Sequence, residues 1–159
     1  MNWTEGQIDG VCVRPLKRYT DARGWLMELY RADETPAAEM PVMGYVSLTH
    51  PGVTRGPHEH KDQTDNFAFF GPGNLRVRLW DRREGSPTRG RMTTIEAGED
   101  NPISLTVPPG VVHAYRNTSD RDAWVLNFSN RLYRGAGRRE PPDEIRYEDG
   151  EDAKLYSML

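Results

Sequence analysis

Apolar and polar positions alternate along this chain in short runs. Leu75, Val77 and Leu79 fall on one side of a two-residue period and Arg76 and Arg78 on the other. The same period recurs at Ile103-Ser104-Leu105-Thr106-Val107 and around Trp124-Val125-Leu126-Asn127-Phe128. Each run predicts a strand with one face turned to a core. Turn formers separate the runs: Pro51-Gly52, Gly71-Pro72-Gly73, Pro108-Pro109-Gly110 and Pro141-Pro142. Phe67 and Phe69 share a face and predict core, and the glycine-proline element after them predicts a hairpin turn. Helical spacing is confined to a turn or two at Glu34 to Glu39 and near the C-terminus. These signals together predict an all-β sandwich or barrel. The stretch from Arg134 to Leu159 is rich in Arg, Glu, Asp and Pro, with Ile145, Tyr147, Leu155, Tyr156 and Met158 as its apolar points. It predicts an irregular tail, about 134–159, packed over the barrel or over a neighbouring subunit.

Length and composition sharpen this picture. A chain of 159 residues fits one domain, 1–159. Lys and Arg total 21 against 24 for Asp and Glu, a net charge of −3, which argues against a nucleic-acid partner. No long apolar run predicts a membrane span. The N-terminal MNWTEGQIDG has neither a basic start nor an apolar core of the secretory kind, so a cytoplasmic protein is expected. The lone Cys12 excludes an intrachain disulfide, fits a reducing compartment and is expected as a small buried apolar residue. A hydrophobic share of 36% is low for a freestanding globule, yet 4 Trp, 7 Tyr and 4 Phe argue against disorder. A thin core supplemented by burial against a second copy, a homodimer, is the expectation.

The candidate chemistry lies in the histidines. The chain has four: His50, His58, His60 and His113. A strand would point His58 and His60 to the same face. His113 follows the Pro108-Pro109-Gly110 turn, and His58 and His60 are expected on the strand facing it. Gly52 stands six residues before His58-Glu59-His60, Asp65 follows, and Gly71 closes the segment. Pro108, Gly110, His113 and Asn117 complete a second motif. In order and together these resemble the two motifs of the cupins, which implies a single-domain jelly roll with a site inside it.

A narrower resemblance is carried by Asp21-Ala22-Arg23-Gly24-Trp25-Leu26-Met27-Glu28, by Gly52-Val53-Thr54-Arg55-Gly56-Pro57-His58 and by Pro108 to Asp120. These segments are similar to signatures of the dTDP-4-dehydrorhamnose 3,5-epimerases, over roughly Lys17 to Tyr133. The resemblance implies a cofactor-free isomerase of carbohydrate biosynthesis acting on a nucleotide-linked 4-keto sugar. His58 would be the general base. Arg23, Glu28 and Arg55 would hold the nucleotide and its diphosphate, and His60 and His113 would line the sugar pocket. It also implies a homodimer that exchanges N-terminal strands, so that Arg23 and Glu28 serve the partner's pocket. The chain departs from the family pattern at His60, where Gln is usual, at Asp65, near a pocket Lys, and at Asn127, where the proton-returning Tyr aligns. Tyr115 and Tyr133 are substitutes for that Tyr, and Asp149 and Asp152 stand where an Asp that orients the base is expected.

The same departures support other readings. His58, His60, Asp65 and His113 offer three imidazoles and a carboxylate, a set suited to a divalent transition metal. A sugar-binding cupin without catalysis would also accommodate Asn127. Hydrolysis by a Ser/His/Asp triad lacks its glycine-flanked serine, and neither a P-loop nor a dinucleotide fingerprint occurs.

Overall fold

A computed structural model describes residues 2–148 and 150–158. Among them are thirteen strands: β1 (Thr4–Glu5), β2 (Cys12–Pro15), β3 (Arg18–Asp21), β4 (Gly24–Met27), β5 (Met43–Thr49), β6 (Thr54–Glu59), β7 (Asp65–Phe69), β8 (Asn74–Asp81), β9 (Arg91–Gly98), β10 (Ile103–Val107), β11 (Val111–Asn117), β12 (Ala123–Ser129) and β13 (Ile145–Arg146). The three alternating runs fall on β8, β10 and β12. Helical structure is limited to short 3₁₀ turns, including Ala32–Glu34, Ala37–Glu39 and Glu151–Leu155.

The strands build two sheets. One has the order β1-β9-β8-β11-β6-β13 and the other β2-β10-β7-β12-β5, while β3 and β4 pair with each other as a separate hairpin. From β5 onward the chain passes from one sheet to the other at every connection up to β12 except β8 to β9. This alternation is the jelly-roll arrangement expected from the histidine motifs. It also corrects the reading of Gly71-Pro72-Gly73 as a hairpin turn: β7 and β8 belong to different sheets. The element carries the chain across the sandwich. A Cβ at Gly73 would lie 2.8 Å from that of Ala123, and its φ of +78° also favours glycine.

The inward faces meet in one core. Phe67, Phe69, Leu105, Val107 and Val125 from one sheet pack on Leu75, Val77, Leu79, Val111 and Tyr115 from the other. Each such side chain contributes about 1.5–3 kcal/mol on full burial. A second cluster lies on the outer face of the first sheet. There Trp80, Val112 and Ala114 are covered by Tyr147 and Tyr156 of the C-terminal segment, with Trp3 and Met92 beside them. Because both faces of β11 are covered, its residues Val111 to Tyr115 are all buried and its alternation is lost from the sequence.

The second sheet is barer outside. Val46 and Leu48 on β5 and Trp124 on β12 are exposed, as are Tyr19, Trp25 and Leu26 of the β3–β4 hairpin. Cys12 is exposed rather than buried. It lies on β2, the edge strand of this sheet, where only one neighbour covers the chain.

Candidate active site

His58 and His113 reach the site from adjacent strands. They are cross-strand partners on β6 and β11, where the expectation put them on facing strands, and their rings lie 4.4 Å apart between centroids. Gly56 makes this approach possible. It has φ +83°, and a Cβ there would meet the His113 carbonyl oxygen at 2.6 Å. His60 follows just past the end of β6, on the same side as His58 as the two-residue period requires. Asp65 comes from the first position of β7, on the opposite sheet. One ligand atom from each of His58, His60, Asp65 and His113 can be chosen so that all lie within 4.8 Å of one another. His50 is elsewhere, exposed and paired with Asp122 at 2.8 Å.

Hydrogen bonds fix the orientation of each group. Asp65 Oδ1 accepts from Gln63 Nε2 at 2.8 Å and from Asn127 Nδ2 at 2.7 Å. Its other oxygen, Oδ2, faces His60 Nε2 at 3.2 Å and His113 Nε2 at 3.3 Å. His113 Nδ1 donates to the Val111 carbonyl at 3.0 Å. His60 Nδ1 donates to the Asp143 carbonyl, and Gln63 Nε2 also lies 3.2 Å from His60 Nε2. A carbonyl only accepts, so both rings carry a proton on Nδ1.

The electrostatics follow from burial and proximity. Burial pushes the Asp65 carboxyl upward, but hydrogen bonds and charge from His113 and His60 outweigh it and hold the group well below the usual carboxylate range. Burial works against protonation of His60, yet Asp65 and the Asp143 carbonyl raise it above the ordinary imidazole value. His58 is the contrary case. Burial first, then the neighbouring His113 and His60, push it down to about 2.

His113, expected to line the pocket, is buried with Asp65 behind His58 and His60, which open into a cleft of about 1140 Å³. Arg55 lines it, its guanidinium braced by the Thr49 hydroxyl at 2.9 Å and the Leu48 carbonyl at 2.7 Å. Tyr45, Tyr115 and Tyr133 also line it, with Arg134, Arg138 and Arg146 from the C-terminal part of the chain. Arg23 and Glu28 do not reach the cleft of their own chain. Arg23 pairs with Asp21 at 2.6 Å on the exposed hairpin, and Glu28 with Arg31 at 3.3 Å.

Several site residues lay beyond the sequence reading. Glu144 Oε1 stands 3.9 Å from His58 Nδ1, the place for which Asp149 and Asp152 were the candidates. Asp149 lies outside the described residues, and Asp152 lines a different cavity. Neighbouring Asp143 accepts from the backbone N–H groups of Lys61, Asp62 and Gln63 at 3.1, 3.0 and 2.8 Å. It thereby fixes the loop between His60 and Asp65. Asn127 is fully buried behind Asp65, and its Nδ2 also donates to the Tyr45 hydroxyl at 3.1 Å. No motif marks Tyr45. The only signal for Asp143 and Glu144 is a pair of carboxylates after Pro141-Pro142.

The family described as dTDP-4-dehydrorhamnose 3,5-epimerase matches residues 5–149. The chain is 37% identical to the spore coat polysaccharide biosynthesis protein SpsL of Bacillus subtilis, over 87% of this chain and 88% of that protein. It is 36% identical to a Haloferax volcanii protein described as probable low-salt glycan biosynthesis epimerase Agl13, over 87% and 86%. Among solved structures, a dTDP sugar isomerase from Desulfovibrio desulfuricans superposes with a TM-score of 0.81 at 26% identity, covering 94% of this chain and 91% of the other.

Proposed function

The chain belongs to the dTDP-4-dehydrorhamnose 3,5-epimerase family, and on that premise we propose that it epimerises or isomerises a nucleotide-linked 4-keto sugar by proton transfer next to the ketone. One observation carries this reading: His58 and His60, backed by the buried His113 and Asp65, face a cleft of about 1140 Å³ that arginines also line. The cleft has room for a nucleotide sugar, and guanidinium groups grip diphosphate oxygens through paired bonds. His58 is the base. It takes the proton from the carbon beside the carbonyl, and the electron pair of the broken C–H bond moves onto the keto oxygen to give an enolate. Glu144, on the Nδ1 side of that ring, favours the imidazolium that forms. Tyr45 returns a proton from the other face of the enolate and is reprotonated by solvent. Its phenol, pushed up to about 12 mainly by burial, holds its proton until the enolate needs it. His60 contacts the keto group, with His113 supporting it from behind through their shared partner Asp65, and Arg55 contacts the nucleotide diphosphate.

Within this reading residues 1–159 form one cupin domain, its tail at about 134–159, acting in the cytoplasm as a homodimer. Arg23 and Glu28 then serve the cleft of the second copy. Among the described residues no helix is long and apolar enough to cross a membrane.

The test is solvent-deuterium uptake into a dTDP-4-keto-6-deoxyhexose at the carbons flanking the ketone. The wild-type chain incorporates deuterium and His58→Asn loses about 10²–10⁴-fold in rate, the usual contribution of a positioned base. Tyr45→Phe keeps the exchange but slows appearance of the inverted sugar. A wild-type chain that is stabilised by the nucleotide sugar yet incorporates no deuterium is a sugar-binding module, and the reading as an enzyme fails.

A further inference from the structure

Asn127 stands where the family resemblance places a proton-returning tyrosine, and an amide cannot serve as that acid. Directly across from it is a phenol. Asn127 on β12 and Tyr45 on β5 are cross-strand partners in the second sheet. Neighbouring strands lie about 4.8 Å apart, so the phenol enters one strand away from the place that the resemblance implies. Asn127 is fully buried, whereas Tyr45 lines the cleft.

The orientation of the Asn127 amide is determined at both of its ends. Its Oδ1 accepts from the Asn66 backbone N–H at 3.1 Å. Its Nδ2 lies 2.7 Å from Asp65 Oδ1, and an ionised carboxylate only accepts. The group that faces Asp65 is therefore the NH₂ and not the carbonyl. One of its N–H bonds goes to Asp65, and the other to the Tyr45 hydroxyl oxygen at 3.1 Å. Asp65 is itself anchored: Gln63 Nε2 donates to the same oxygen at 2.8 Å, and Oδ2 faces His60 and His113. Both amide hydrogens of Asn127 are thus committed, so Tyr45 accepts in this contact and keeps its own proton for another partner. Among the described residues no protein acceptor takes that proton, and the hydroxyl is left to offer it to the cleft. Burial, with Asp65, Tyr115 and Glu144 nearby, opposes ionisation of this phenol, while the Asn127 N–H favours it.

We propose that Asn127 is the positioning residue for Tyr45, its amide holding the phenol oxygen so that the hydroxyl proton faces the substrate and the phenolate left behind keeps a hydrogen-bond donor. The role rests on the keto-sugar reading above. In the return step the electron pair of the enolate forms the new C–H bond with the Tyr45 proton, and the O–H pair stays on the phenol oxygen. The bond from Asn127 strengthens as that oxygen becomes charged, and solvent then reprotonates it. Asp65 acts at one remove, by fixing the amide that fixes the phenol. The asparagine at 127 and the tyrosine at 45 are two halves of one arrangement, in which the acid has crossed to the neighbouring strand.

The experiment is a double-mutant cycle on the full chain, with Asn127→Leu made in the wild-type and Tyr45→Phe backgrounds. It reads the ratio of inverted sugar to deuterium exchange with a dTDP-4-keto-6-deoxyhexose in deuterium oxide. Asn127→Leu should lower that ratio about tenfold or more, the worth of a hydrogen bond to a charged group, at an unchanged KM. In the Tyr45→Phe background it should cause no further fall. Asn127→Ser keeps a hydroxyl for Asp65 but is too short to hold Tyr45 as well, and it repeats the test if Asn127→Leu does not fold. Equal losses in the two backgrounds, or an undiminished ratio in both Asn127 variants, overturn the role. A readout that needs no turnover is titration of the phenol, followed by absorbance with a fluorinated, more acidic tyrosine in place of Tyr45. Loss of the Asn127 donor should raise its midpoint by about one pH unit or more. An unmoved midpoint overturns the hold of Asn127 on the hydroxyl. A wild-type chain that exchanges no deuterium, with a midpoint that moves, leaves the hold of Asn127 standing and overturns the reading as an epimerase instead.

Discussion

Asp81 shows how much one carboxylate can hold together. Its side chain is fully buried at the end of β8 and accepts from Arg83 Nε and Nη2 at 2.9 Å each, from the Ser86 hydroxyl at 2.5 Å and from the Thr88 hydroxyl at 2.6 Å. Burial raises its pKa, but Arg83, Ser86 and Thr88 outweigh burial and hold it well below the ordinary carboxylate value. A folded-state pKa below the unfolded one, about 3.9, means the stabilisation is complete above about pH 4–5 and is lost as pH falls through the folded value. Asp81→Asn should therefore cost about 3 kcal/mol at neutral pH, and its urea midpoint should fall less steeply on acidification than that of the wild type. Equal acid limbs in the two proteins would contradict this. Spacing in the sequence was enough to single out His58, His60, Asp65 and His113, because a two-residue period and a turn place such groups on one face. It could not show that Asp65 Oδ1 is held by Gln63 and Asn127, or that Glu144 takes the place beside His58. Asn127 and Glu144 are brought there only by the pairing of distant segments, and the Gln63 contact depends on a loop that distant Asp143 fixes.

Among the elements, β6 does most to shape the cleft. Its Gly56 lies where β6 passes the backbone of β11, so close that a methyl group would strike the His113 carbonyl. The conformation with φ +83° adds a second penalty for any side chain. Gly56→Ala should cost about 2 kcal/mol or more from strain and displacement together. It should also lower activity more than stability accounts for, since His58 is two residues on and His113 is the residue struck. A variant as active and as stable as the wild type in parallel thermal melts and exchange assays would show that β6 can yield. Three strands were legible from alternation, since β8, β10 and β12 lie over the alternating runs, whereas β5 was not, because its exposed face is itself apolar at Val46 and Leu48. β11 and β13 were not legible in this way. β11 is covered on both faces, and the two residues of β13 gain their place only by pairing with Glu59 and His58 at the edge of β6. Sheet membership is likewise absent from local pattern, which is why Gly71-Pro72-Gly73 was expected as a hairpin and is instead a crossing.

At the scale of the whole molecule, one sheet is covered and the other is not. The C-terminal segment shields Trp80, Val112 and Ala114 outside the first sheet, whereas Trp124 and its cross-strand partner Leu48 are exposed outside the second, with Val46 beside them. Among the described residues the β3–β4 hairpin pairs with no other strand, and it displays Trp25 and Leu26. Contiguous exposed apolar surface of this kind marks an interaction site, and a chain with mean hydropathy of −0.80 has few apolar residues to spend on open surface. A second copy of the chain accounts for both features if the hairpin of one protomer lies on the neighbour. That arrangement gives Arg23 and Glu28, which pair with Asp21 and Arg31 away from the cleft of their own chain, a cleft to serve. Light scattering should then give twice 18.2 kDa, with an interface of about 1,000 Å² or more. Leu48→Glu with Trp124→Glu should shift the chain toward monomer, because two charges buried in an interface oppose its formation. Arg23→Ala should leave the dimer intact and raise KM for the nucleotide sugar. A wild-type chain that stays monomeric at tens of micromolar, well above the range of stable homodimers, would remove the partner-cleft role of Arg23 and Glu28 and leave the arginines lining the cleft of each chain to hold the diphosphate alone.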